Sequence, residues 1–134
     1  MKMKKKTGFT ILELIVAVSI FGIGISSLLA VYTQSVTVSK RSDYAYTAYN
    51  LAKNHIERLR VSAFSSLSLA LETDTRVNRD GEPDEAGEYL RSTSVMTNYG
   101  SDANLTRVDV NVYYEFKKVK SPQPMSLSTV IYNG

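Results

Sequence analysis

Gly8-Phe9-Thr10-Ile11-Leu12-Glu13-Leu14 sets a small residue, an aromatic and one carboxylate at the head of an apolar run that reaches Tyr32 with Glu13 as its only charge. Two kinds of chemistry follow from those types at that spacing. A small residue between the basic stretch Lys2, Lys4, Lys5, Lys6 and Phe9 offers a peptide bond for processing. A secretory signal would put its cleavage site after the apolar core, whereas here the candidate cut precedes it. The carboxylate poses a different problem. An acid near the centre of a bilayer costs about 2.5–3.5 kcal/mol on insertion scales, so it acts as a group awaiting a cationic mate. Glu13 stands near the entry end of the run, where a helix N-terminus best tolerates an anion.

A second set of candidates lies between Asp74 and Glu85. Hard oxygen ligands at alternating positions round a glycine turn can hold calcium, and Asn78, Asp80, Gly81 and Asp84 follow part of that pattern. Arg76 occupies the first ligand position and the distal glutamate is out of step, which excludes a complete EF-type loop. The expectation is a solvated acidic loop, with Asn78, Asp80 and Asp84 as the only calcium candidates and no other metal or cofactor. His55 is the one histidine and there is no cysteine, so neither a zinc cluster nor a serine or cysteine triad can be built from this chain. His55 falls on an apolar helical stripe and is expected to be a packed or hydrogen-bonded core residue. Acids in the 72–88 region repel one another without an apolar pocket to split their pKa values. No catalytic residue is expected, and no enzyme.

The elements that position these groups follow from periodicity. Phe9 to Tyr32 is 24 residues, roughly 36 Å of helix against a hydrocarbon core of about 30 Å, with no proline. Four lysines flank its start and only Lys40 and Arg41 follow its end, which places the N-terminus in the cytoplasm and the bulk of the chain outside. Between Thr33 and Phe64 there is neither proline nor glycine. Tyr44, Ala48, Leu51, Ala52, His55, Ile56, Leu59 and Ala63 recur at three- and four-residue steps, an amphipathic continuation facing a sheet. A helix to about residue 64 would measure roughly 84 Å, a length that makes sense only if its apolar half finds other helices.

Tyr89–Thr97, Leu105–Phe116 and Met125–Tyr132 alternate with period two and read as a three-stranded antiparallel meander packed on the helix. Asn98–Asp102 and Ser121–Pro124 supply the turns. The fold class is α+β. Its domains read as a leader at 1–8, a membrane-spanning helix at 9–32 and an outer domain at 33–134, in which the helix continues to about 64, a loop fills 65–88 and the sheet spans 89–133.

The whole chain carries +3, but the four leader lysines leave twelve basic and thirteen acidic side chains in residues 9–134. The basic character belongs to the leader, so no nucleic-acid partner is inferred. Without cysteine the outer domain is held by packing or assembly, not by disulfides.

The run Lys6-Thr7-Gly8-Phe9-Thr10-Ile11-Leu12-Glu13-Leu14 resembles the class III signal of type IV pilins and of the pseudopilins of type II secretion systems. Ala52–Arg60, Glu88–Thr93 and Ser126–Ile131 look like the helix and strands of V-type minor pilins and of the I-type pseudopilin. The resemblance implies a pilin fold and a bacterial inner-membrane protein, cleaved between Gly8 and Phe9 by a prepilin peptidase that N-methylates Phe9. It also implies assembly with other pilins into a periplasmic or extracellular filament through the N-terminal helices. Glu13 would then meet the N-terminal amine, at Phe9, of a neighbouring subunit. Gly22 and Gly24 allow either close helix packing or local melting on assembly. Major pilins often carry a proline near there, and this span has none. The resemblance implies a minor pilin that primes or caps a type IV pilus, with a minor pseudopilin of a type II secretion system as the alternative and a tip-borne adhesin using the tyrosines as the less favoured reading.

Overall fold

The computed structural model describes residues 8–133. The leader assigned to 1–8 therefore lies outside the described residues except for Gly8.

The first helix, α1, runs from Ile11 to Arg60. Thr10 starts it: its side-chain oxygen accepts the Glu13 N–H at 3.2 Å, and its carbonyl accepts the Leu14 N–H at 3.1 Å. This is an N-cap, which satisfies a donor that the helix cannot pair internally. At the other end Arg58 and Arg60 place cations in the last turn, where the helix dipole favours them. The helix stops four residues short of the expected end, and Phe64–Ala70 forms a 3₁₀ helix instead. Beyond Arg60 the Ser62 N–H bonds back to the Leu59 carbonyl (3.2 Å) and the Ser66 N–H to the Ala63 carbonyl (2.9 Å), three-residue steps that end the α ladder. Ala63, placed on the apolar stripe by its spacing, is in consequence extended and exposed.

The chain divides into two compact units, one ending at Ser39 and one beginning at Lys40. The first is helix with its side chains in the open; its apolar window is long enough to cross a membrane, and none of it is buried within the chain. The second contains the remainder of α1 and one antiparallel sheet of five strands.

Three of those strands match the sequence reading: β2 (Tyr89–Thr97), β3 (Leu105–Phe116) and β5 (Met125–Tyr132). The other two, β1 (Glu72–Val77) and β4 (Val119–Lys120), correct the three-stranded meander. Residues 65–88 are thus not one loop. The missed strand β1 reads Glu-Thr-Asp-Thr-Arg-Val, polar on both faces with only Val77 buried, so it carries no period-two apolar signal. It is a strand because β2 beside it supplies a ladder, with Thr75 opposite Arg91 and Val77 opposite Tyr89. β4 returns from β3 through Lys117 and Lys118, both at positive φ (53° and 63°), as a two-residue hairpin loop matching the strand twist requires. The strand order is β1-β2-β3-β4, with β5 also on β3. β2 pairs β3 without a break from Tyr89 opposite Tyr114 to Thr97 opposite Thr106.

The core lies where α1 crosses this sheet. Ala48, Leu51, Ala52, Ile56 and Leu59 meet Leu67, Val77, Tyr89, Val108, Val110 and Val112. The inward set of β3 is the one its alternation specifies, and each such side chain adds about 1.5–3 kcal/mol by leaving water. Small Ala48 and Ala52, both fully buried, let the helix approach the strands closely.

Gly87 shows how tight the approach becomes before β2. A Cβ built there would stand 2.3 Å from the Val77 oxygen and 2.5 Å from its carbonyl carbon, both backbone atoms that cannot yield. Gly87→Ala should therefore destabilise the outer unit by about 1–3 kcal/mol, the usual range for overpacking. Thermal melts of the detergent-solubilised chain check this, with Gly24→Ala, whose Cβ meets nothing within 4 Å, expected to melt like the parent.

Candidate functional site

Phe9, Glu13, Gly22 and Gly24 all sit on the bare surface of the first unit. Phe9 precedes the helix and is 80% exposed, and Glu13 occupies the third helical position with its N–H on the Thr10 cap. The carboxylate itself has no hydrogen-bond partner among the described residues. Ile11, Leu12, Leu14, Ile15 and Phe21 stand more than half exposed around it. Such a surface is wrong for water and right for lipid or for other helices.

Five hydroxyls along this part of α1 are already satisfied. Ser19, Ser26 and Ser27 donate to the carbonyls of Ile15, Gly22 and Ile23 at 2.8–2.9 Å, and Thr33 and Thr37 bond back in the same way. No hydroxyl of this set enters an apolar medium unsatisfied. Gly22 and Gly24 do not share a face, since two residues along a helix turn it about 200°. Gly22 instead pairs with Ser26 one turn on, and Gly24 opens a dent between Ile20, Phe21, Ile25 and Leu28. A Cβ at either glycine would meet nothing within 4 Å in the single chain, so their smallness is unused until another body packs there.

The loop between β1 and β2 holds the calcium candidates in a different arrangement. The Asn78 side-chain oxygen accepts the N–H groups of Asp80 (2.9 Å) and Glu82 (3.1 Å), and an Asp84 carboxylate oxygen accepts the Ala86 N–H. Asn78 and Asp84 spend oxygens on turns. No group of three or more His, Asp or Glu side chains able to hold a metal occurs among the described residues. The loop is strapped to α1 instead: Arg79 donates to Asp43 (2.5 Å) and Thr47, Arg58 pairs with Glu82 (3.3 Å), and Gly81 lies against Leu51 at φ +85°, a conformation that favours glycine.

Sequence reasoning missed the group that anchors this strap. Arg91 is 5% exposed, lies on the inward face of β2, and donates to Glu72 through Nε (2.7 Å) and Nη2 (3.0 Å) and to the Gly81 carbonyl (3.1 Å). The signal was available. Arg91 falls in the same alternate set as Tyr89 and Val95, and an arginine pointing inward demands an acid. His55 joins them, its Nε2 3.8 Å from a Glu72 oxygen and without a hydrogen-bond partner.

Residues 3–29 match the family described as the prokaryotic N-terminal methylation motif. That span takes in Gly8, Phe9, Glu13, Gly22 and Gly24. No curated protein and no solved structure gives a match to this chain.

The buried trio gives the outer unit a defined response to acid. Burial pushes the His55 pKa down, the Arg91 charge adds to that, and the nearby Glu72 only partly opposes it. Burial works to raise the pKa of Glu72, but the Arg91 hydrogen bonds and charge outweigh it and hold the carboxyl below its ordinary range. For both groups the unfolded chain takes up protons first as pH falls. The stability they contribute is complete above about pH 6.5 and is lost downward, through His55 first and through Glu72 below about pH 4.3. Melting temperature should be level above pH 7 and fall below 6.5. In His55→Gln the upper limb of that fall should vanish while the lower limb stays, as read from thermal melts across pH.

Proposed function

We propose that this chain, which carries the N-terminal methylation signal of type IV pilin-like proteins, is a minor pilin. It is cleaved between Gly8 and Phe9 by a prepilin peptidase, methylated at the new Phe9 amine, and co-assembled with other pilins to prime or cap a type IV pilus. The observation that carries this reading is an apolar helical window left unburied among the described residues, with one carboxylate a single turn from the amine that cleavage would create.

Before assembly the helix lies in the inner membrane with its N-terminus on the cytoplasmic side, as the lysine asymmetry directs. The Thr10 cap belongs to the mature segment, so removing the leader leaves the start of α1 intact. Placed against a neighbour, the Glu13 carboxylate meets that subunit's ammonium. Each charge removes the penalty the other would suffer alone in an apolar medium, and either one left unpaired is expensive. Because the pairing needs a fixed stagger between helices, Glu13 sets register as well as affinity. The protein acts as a structural subunit and performs no catalysis.

The same helix would serve a pseudopilin of a type II secretion system. Deletion of the gene separates the two settings: loss of surface pili supports the pilus reading, and retained pili with failed export of secreted proteins supports the other.

Gly8→Leu should block processing, so that mass spectrometry of membrane fractions finds the precursor where the parent gives a chain beginning at N-methylated Phe9. Normal maturation of that variant would overturn the peptidase reading. Glu13→Ala should insert and mature normally but enter filaments on the order of a hundredfold to a few thousandfold less, since breaking a buried ion pair costs about 3–5 kcal/mol. Quantitative blotting of sheared filaments against membranes measures the ratio.

A further inference from the structure

We propose that residues 72–84, which are β1 and the loop after it, form a strap that opens as a unit in acid, released by protonation of His55, while the outer part of α1, β2, β3 and β5 stay together. The strap is held differently from the rest of the outer unit. In β1 only Val77 is buried, and in residues 78–84 only Gly81 is, whereas β3 alone buries Val108, Val110 and Val112 completely. Its ladder to β2 is interrupted as well: the register slips between Glu72 and Thr75, and Asp74 sits at φ 47°. Segments with few buried apolar side chains open locally at a lower cost than the whole fold.

What fastens the strap is charge. Arg58 pairs with Glu82 (3.3 Å), Arg76 with Glu115 (2.9 Å), Arg79 with Asp43 and Lys120 with Asp74 (3.7 Å), and in each pair the cation's side chain is more than 40% exposed. Exposed pairs hold weakly, because water screens them and two long side chains must be ordered to make them. Arg91 is the exception. Its side chain is 6% exposed and it grips both ends of the strap, Glu72 at the start (2.7 and 3.0 Å) and the Gly81 carbonyl towards the end (3.1 Å). One buried guanidinium is the clasp.

His55 is placed to undo it. Its Nε2 has no hydrogen-bond partner and stands 3.8 Å from the Glu72 oxygen that also accepts the Arg91 Nε–H and the Thr93 hydroxyl (3.5 Å). Charged groups face the ring from every element around it: Glu72 on β1, Arg91 on β2, and Arg58 on α1, itself paired with Glu82 of the loop. A proton on the imidazole puts a third cation beside Arg91 and Arg58, with Glu72 as the one carboxylate in reach. Burial first, then the arginine charges, oppose that proton, and Glu72 offsets them only in part. The closed strap therefore excludes the proton, and the open strap, which wets the ring, admits it. A proton that binds the open form better shifts the equilibrium towards opening. Since His55 is the only histidine, it is the one side chain whose ordinary range falls between pH 5.5 and 7.5. With β1 displaced, β2 keeps its unbroken pairing with β3, so the sheet loses an edge and not its centre.

Hydrogen exchange on the full chain in a non-ionic detergent, corrected for the intrinsic pH dependence of exchange, measures the opening. Amides of residues 72–84 should exchange through one shared opening that is more populated than the opening that exposes the β3 amides. Between pH 7.5 and 5.5 its population should rise about tenfold, which is what one histidine of ordinary pKa about 6.5 supplies when only the open form takes the proton. In His55→Gln the rise should be absent. Protection of 72–84 equal to that of β3 would overturn the strap, and a rise of the same size in His55→Gln would overturn the trigger. The profile of the parent decides without the variant: no rise between the two pH values sinks the proposal even where His55→Gln fails to fold. None of these readouts involves processing or filaments, so their failure leaves the pilin reading standing.

Discussion

Lipid-sized stretches of apolar helix with a single acid cannot be finished by the chain that carries them. The apolar window of α1 is left unburied among the described residues; Ser19, Ser26, Ser27, Thr33 and Thr37 bond back to the helix backbone, and Glu13 has no partner there. A bilayer can cover the side chains but does not neutralise the carboxylate, whereas a neighbouring helix bearing a free amine does both. The physical incompleteness of the first unit is the reason to regard the protein as a subunit.

The second unit solves the opposite problem. It must be stable outside a membrane with a small core, without disulfides, and it does so by giving α1 a partner on nearly every strand. Arg91 is central to that economy. By holding Glu72 of β1, the Gly81 carbonyl and, through Glu72, the neighbourhood of His55, one buried guanidinium ties the first strand, the following loop and the helix together. An arginine at 5% exposure is tolerated because each of its committed donors has an acceptor. The loop between β1 and β2 acts as a brace, with side-chain oxygens of Asn78 and Asp84 engaged in turns and its flanks salt-bridged to α1.

Legibility followed the strength of the local period. The outer half of α1 could be drawn from three- and four-residue spacing, β3 and β5 from period-two alternation, and β2 more weakly from Tyr89 and Val95 on one face. β1 could not, since Glu72, Asp74 and Arg76 alternate with threonines and neither face is apolar. The helix end was placed about four residues late because Ala63 continues the spacing of Ile56 and Leu59, whereas the backbone already turns back at Ser62. Among the site residues Gly8, Phe9 and Glu13 were legible as a contiguous motif. Arg91 and Glu72 were not singled out, as they are 19 positions apart and meet only through strand pairing.

What the sequence by itself determined is what depends on neighbours along the chain: the apolar span, the N-terminal methylation motif, the lone carboxylate and the α+β class. These are set by composition and period, which need no folding to exist. Tertiary structure decided which polar residues were structural and which edge stayed open. Pairing of β1 with β2 and folding of the 78–84 loop over β1 closed one side of the sheet, whereas among the described residues β5 pairs with β3 alone. Those outcomes turn on contacts between residues far apart in the chain, whose geometry no local pattern encodes.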